Sequence, residues 1–169
     1  VVDDDRHLVL VGLMGSGKST VGRIVAERLG RPLFDSDAMI EQRTGRTVRE
    51  IFADEGEPAF RTLETAALVD ALATDTPAVI AAAGGVVLRD ENRRALADAR
   101  ARVVWLRADP ATLVDRVKAG MHRPSLDVDP EGTLRTMHDT REALYREVAT
   151  CVVSVDGRSV NDVVEAVLR

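Results

Sequence analysis

Apolar positions along the chain fall into two rhythms. Short apolar runs at His7-Leu8-Val9-Leu10-Val11, Leu33-Phe34, Ala78 to Ala82, Arg102 to Leu106 and Cys151 to Val155 predict buried strands. Between them apolar residues recur at helical spacing. Val21, Ile24, Val25 and Leu29 predict a helix beginning near Lys18, which Gly30-Arg31-Pro32 stops. Ile40 marks the inner face of a short helix that breaks at Thr44-Gly45-Arg46, and Val48, Ile51 and Phe52 predict a further helical turn. From Pro58 a long helix carries Phe60, Leu63, Ala67, Leu68 and Leu72 on one face. Later helices are expected through Arg94 and Leu96, from the cap Asp109-Pro110 to Lys118, from Leu134 to Val148 and from Val160 to Leu168. Ala119 to Glu131 has Gly120, Pro124 and Pro130 and no period, so a mobile loop is expected there. Strands alternating with helices imply a parallel sheet covered on both faces, with ligands at the carboxyl ends of its strands.

Length allows a single domain, since 169 residues bury one good core and not two. With 3% aromatic residues, that core must be built from Ala, Val and Leu. A net charge of −5 argues against general nucleic-acid affinity, so arginines that meet an anionic substrate must be clustered locally. Cys151 is the sole cysteine, which excludes a disulfide framework and fits a cytoplasmic setting; with Val152 and Val153 beside it, it reads as a buried strand residue. No apolar run reaches the ~20 residues of a membrane span, and the acidic start is unlike a signal peptide. His7, His122 and His138 are too scattered for a metal cluster.

The first strand runs into Gly12-Leu13-Met14-Gly15-Ser16-Gly17-Lys18-Ser19-Thr20, which fits Gly, four residues, then Gly-Lys-Ser/Thr. In that arrangement glycines let backbone amides of Gly15 through Thr20 face an anion, and a helix N-terminus adds partial positive charge. Lys18 bridges the outer phosphates of a nucleotide and the Ser19 hydroxyl binds Mg²⁺. Such a site needs a carboxylate near the metal. The strand at Val79-Ile80 offers none, so Asp35 at the end of Leu33-Phe34 is the candidate. Asp37 projects from the same rim and suits either hydroxyls of an acceptor or a helix cap for Ala38 onward.

Asp35-Ser36-Asp37-Ala38-Met39-Ile40-Glu41, then Gly45, Ile51-Phe52, Gly56-Glu57, Phe60-Arg61 and Glu64, resembles shikimate kinase. So do Gly84-Gly85 after a strand, Arg123-Pro124, and Arg141 before Leu144-Tyr145; the likeness extends from His7 to Arg169. It implies a single P-loop kinase domain over 1–169, a three-layer sandwich around a five-stranded parallel sheet of order 2-3-1-4-5. A substrate-binding segment at about 35–64 and a lid at about 119–131 are expected. The implied reaction moves the γ-phosphate of ATP, with Mg²⁺, to the 3-hydroxyl of shikimate. Arg61 and Arg141 resemble the carboxylate-binding pair, with Glu64 as the orienting partner of Arg61, and Asp37 the aspartate at the ring hydroxyls. Gly84 and Gly85 complete the implied substrate site. Asp35 resembles the residue reaching Mg²⁺ through water. Arg123 matches the lid arginine that joins Lys18 and Asp37 in catalysis, while Arg116 and Arg158 flank the adenine. Partners are then small molecules only, and a monomer is expected.

The chain departs from the family pattern twice. Ala83 stands where the first of three glycines is usual, which is harmless unless that position needs φ > 0. Ser125 follows Arg123-Pro124 where an apolar residue is common. On residue chemistry alone Arg61 belongs on the shoulder of its helix beside an inward Phe60, and Arg141 on a charged surface. A kinase for another hydroxylated acid or a cyclitol, or a nucleotide-binding homologue without catalysis, stays open. A GTP-dependent switch is disfavoured because the chain has no Asn-Lys pair.

Overall fold

The computed structural model describes residues 5–120, 126 and 128–169. Five strands form one parallel sheet of order β2-β3-β1-β4-β5. They are β1 (His7–Val11), β2 (Leu33–Asp35), β3 (Val79–Ala81), β4 (Ala101–Arg107) and β5 (Cys151–Ser154). Helices α1 (Lys18–Leu29), α2 (Ser36–Thr44), α3 (Val48–Leu72), α4 (Asp90–Asp98), α5 (Pro110–Gly120), α6 (Pro130–Val148) and α7 (Val160–Leu168) alternate with them. Central β1 pairs with β3 through Val9 opposite Ile80, and with β4 through Val9 opposite Val103. All five of its residues are buried, which requires helices over both faces. In outer β2, Asp35 lies opposite Ala81, which brings the end of that strand level with the segment leading to Gly84.

Two cores sit in this frame. The larger packs sheet residues such as Leu8, Leu10, Val104 and Leu106 against α1, α5, α6 and α7. The smaller joins α2 to α3 through Ile40, Val48, Ile51, Phe60 and Ala67, with the Phe52 and Phe60 rings 4.6 Å apart. Within the stretch that carries the smaller core, α3 is interrupted at Gly56 (φ 81°, ψ 176°), a conformation that side chains resist. Pro58 then opens the second stretch, where a missing amide costs least. The turn before Pro58 and the long helix after it are thus the two halves of α3.

Several expectations need correction. Along the second half of α3 the fully buried stripe is Phe60, Arg61, Glu64, Ala67, Leu68 and Ala71, whereas Leu63 and Leu72 are half-buried. Arg61 is therefore inside the helix face and not on its shoulder. Arg141 is likewise buried, not on the surface. In both cases bonding to neighbouring side chains overrides a purely apolar pattern, Arg61 pairing with Glu57 and Glu64 and Arg141 hydrogen-bonding Tyr145. Cys151 is half-buried, because β5 is an edge strand. Helix α5 runs to Gly120 and α6 starts at Pro130, capped by the Asp129 side chain on the Gly132 amide. Both ends of the aperiodic segment at 119–131 are thus helical, and Pro130 is well placed in a first helical turn. His122, Arg123 and Ser125 lie outside the described residues.

Candidate active site

Helix α1 begins differently from its neighbours. Asp35, Thr47 and Ser159 cap α2, α3 and α7 with side-chain oxygens on free backbone amides. Helix α1 has Gly17 (φ 96°) at its N-cap, with no side-chain cap and no acidic residue in its first turn. Its exposed amides and positive dipole end are left for an anion. Gly15, at φ 80°, shapes the loop that precedes it. The Lys18 ammonium folds back over this loop, donating to the carbonyls of Gly12 at 2.7 Å and Leu13 at 2.9 Å.

This loop forms one wall of a cavity of about 440 Å³. Asp35, Asp37 and the Ala81–Gly84 segment continue the lining beside it, and Arg116, Val117, Val155, Arg158, Val160 and Val163 complete it at one end. Arg116 donates to the Gly15 carbonyl at 3.3 Å, which ties α5 to the loop. The structure thus brings together Gly15, Ser16, Gly17, Lys18, Ser19, Thr20, Asp35, Asp37, Gly84, Arg116 and Arg158 around one space. Apolar Val155, Val160 and Val163 beside Arg116 and Arg158 give that end a surface suited to a flat ring.

Asp35 has two tasks. Its Oδ1 accepts from the amides of Asp37 and Ala38, so Asp35 and not Asp37 caps α2. Its Oδ2 accepts from the Ser19 hydroxyl. A hydroxyl and a carboxylate oxygen held together beside a phosphate site are hard donors of the kind Mg²⁺ takes, with phosphates and water completing its shell. Among the described residues no cluster of three or more His, Cys, Asp or Glu could hold a metal by itself. Asp37, freed from capping, turns its half-buried side chain to the cavity.

Arg61, Gly85 and Arg141 belong to a second, adjoining cluster that does not line the cavity. Arg61 Nη1 donates to Glu64 Oε1 at 3.1 Å and Oε2 at 2.9 Å. Its Nε and Nη2 both donate to Glu57 Oε1, at 3.1 and 2.8 Å. Burial pulls the guanidinium pKa down, but Glu64 and Glu57 more than offset this, and it ends above its ordinary value. Glu64 is fully buried, and such a carboxylate is tolerable only when paired.

Two glycines allow close approaches at the cavity's edge, Gly84 toward the loop backbone and Gly85 toward this cluster. A Cβ at Gly84 would lie 3.3 Å from the Met14 amide nitrogen, and one at Gly85 would collide with the Arg61 guanidinium. The Gly84 carbonyl accepts from the buried Tyr145 hydroxyl, whose ring stacks on Trp105 at 5.7 Å. Burial pushes the Tyr145 phenol up to about 12, against the opposing pull of neighbouring Arg141. Ala83 does not have a positive φ, so the missing glycine costs no backbone strain. Sequence reasoning missed the roles of Glu57 and Tyr145. Their signal was spacing: each lies four residues from an arginine on one helix, Glu57 from Arg61 and Tyr145 from Arg141.

An uncapped helix behind a glycine loop, its lysine, a Ser–Asp pair and an acceptor-sized cluster across the strand ends define a P-loop kinase for small molecules. Within that class the chain belongs to the shikimate kinase family, whose family model matches residues 14–169. It is 48% identical to shikimate kinase of Symbiobacterium thermophilum over 96% of this chain and 94% of that one. Shikimate kinase of Burkholderia thailandensis is 45% identical over 98% of this chain and 90% of its own. In structure it resembles shikimate kinase from Acinetobacter baumannii in complex with shikimate, at a TM-score of 0.91 and 39% identity, covering 96% of this chain and 90% of that one. A gluconokinase from Sinorhizobium meliloti matches at a TM-score of 0.67 and 25% identity, over 97% and 90%. Among the described residues no helix is long and apolar enough to cross a membrane.

Proposed function

We propose that this chain transfers the γ-phosphate of ATP to the 3-hydroxyl of shikimate, giving shikimate 3-phosphate and ADP. The carrying observation is the buried arginine cluster beside Gly84-Gly85, where Arg61 and Arg141 offer guanidinium groups to an acceptor carboxylate. A neutral cyclitol would bring neither of them a further anionic partner. Full-length likeness to a shikimate kinase that binds shikimate supports the same acceptor.

Roles follow from position. Backbone amides from Gly15 to Thr20 cradle the phosphates, and Lys18 leaves the loop carbonyls to follow the charge on the transferring group. Ser19 and, through water, Asp35 would hold Mg²⁺, which neutralises phosphate charge when bound. Asp37 accepts hydrogen bonds from ring hydroxyls and takes the proton of the attacking one. Gly84 and Gly85 bring bare backbone to the ring, Arg116 and Arg158 flank the adenine, and Arg123 acts from the lid. Every group named comes from one chain, so this reading needs only a monomer.

The test measures ADP release from MgATP with shikimate, then with gluconate, other hydroxy acids and cyclitols. Shikimate-dependent turnover well above the others is expected. Turnover of a neutral cyclitol without shikimate turnover would overturn the assignment.

A further inference from the structure

Arg61 faces two carboxylates of unlike character. Glu64 takes Nη1 and its side chain is 0% exposed, while Glu57 takes the Nε and Nη2 edge and is 56% exposed. Removing Glu64 would leave charge buried. Glu57 has water at its back, and its backbone directly follows the non-helical Gly56. One can leave and the other cannot.

Charge balance points the same way. Glu57 and Glu64 together match Arg61 and Arg141, with Arg61, Glu64 and Arg141 all acting on Tyr145. An acceptor carboxylate entering this cluster would make three anions against two cations. Resting on the acceptor site proposed above, we infer that Glu57 is a displaceable internal carboxylate. It holds the Nε and Nη2 edge of Arg61 in the free protein and yields that edge to the carboxylate of the incoming substrate. Glu57 thus keeps Arg61 aligned between turnovers and weakens acceptor binding by competition. It is a positioning residue that acts through Arg61.

Calorimetric titration of shikimate, without nucleotide, into the parent, Glu57→Gln, Arg61→Lys and the double variant tests this. Glu57→Gln keeps the side-chain shape and removes the charge, so it should bind about fivefold tighter with an unchanged melting temperature. In the Arg61→Lys background, which keeps a cation opposite Glu64, the gain from Glu57→Gln should shrink to within about twofold. A purely structural Glu57 would give weaker or equal binding in Glu57→Gln, and that result overturns the inference while leaving the acceptor site intact. Parent-like binding in Arg61→Lys, or no shikimate binding by the parent, overturns the acceptor site and this inference with it.

Discussion

A Cβ at position 85 would stand 1.9 Å from Nη1 of Arg61, so the bare backbone of Gly85 is what makes room for the guanidinium. The clash involves a side-chain tip, which elsewhere could swing aside. Here the tip is pinned by Glu57 and Glu64 and nearly buried, so it has little freedom. Gly85→Ala is expected to fold, to raise the KM for shikimate by at least about tenfold and to leave the KM for ATP within about twofold. Steady-state kinetics with each substrate varied will show this. Equal changes in both KM values would mean that Gly85 shapes the whole cavity.

Arg61→Ala separates binding from folding differently. Loss of the acceptor ligand should raise the shikimate KM by about a hundredfold or more, with the ATP KM nearly constant. The variant also leaves Glu64 buried without its Nη1 partner, at a cost of about 3–5 kcal/mol. Denaturant unfolding should therefore show marked destabilisation in Arg61→Ala and clearly less in Arg61→Ala/Glu64→Gln. Acceptor affinity should be lost in both.

Asp35→Asn tests the metal role without disturbing the helix cap. Asparagine caps as well as aspartate, so the bonds to the amides of Asp37 and Ala38 are preserved. The Oδ2 beside Ser19 is replaced by an uncharged amide nitrogen, which cannot accept from the hydroxyl. Expected is a kcat lower by about a hundredfold, a higher Mg²⁺ concentration for half-maximal rate, and stability within about 0.5 kcal/mol of the parent. An unaltered Mg²⁺ dependence would remove Asp35 from the metal's surroundings.

The sheet, its helices and the phosphate loop were legible because each is written locally. Period and caps mark the elements, and the glycine loop has a fixed spacing. Strand order came with the family resemblance, since the periodicity of strands such as β1 and β3 does not say which neighbours they choose. Burial of Arg61 and Arg141 was not legible from pattern, because a charge bonded to neighbours on its own helix looks like a surface charge in a linear text. Glu57 and Tyr145 were missed because i,i+4 spacing alone does not tell a buried pair from a solvated one, and the Gly84 carbonyl meets Tyr145 only once helix and loop are docked.

At position 83 the structure makes a definite statement about the glycine the family usually has. Ala83 is buried and its φ is not positive, so glycine would relieve no strain and would add freedom to the unfolded chain. Ala83→Gly should leave kcat within about twofold and lower stability by about 0.5–1 kcal/mol. A rate gain of a hundredfold or more would show that the methyl group displaces the Gly84 and Gly85 backbone.

Tyr145 is the sole tyrosine of the chain, so phenolate absorbance reports on it without overlap from another phenol. Burial raises its folded-state pKa from 10.0 to about 12. Between those values the folded protein keeps the phenol proton while the unfolded chain releases it. Stability from this group is therefore fully present below about pH 10 and falls as pH rises toward 12, by up to about 1.4 kcal/mol per pH unit. In native buffer the phenolate band should emerge only near pH 12, and in denaturant near pH 10. Tyr145→Phe leaves the Gly84 carbonyl without its donor, which should cost about 1–3 kcal/mol at neutral pH. That variant should also lose part of the alkaline slope, because its folded and unfolded states no longer differ at this phenol. An unchanged slope in Tyr145→Phe, or a native phenolate band near pH 10, would show that the hydroxyl is not buried against Gly84.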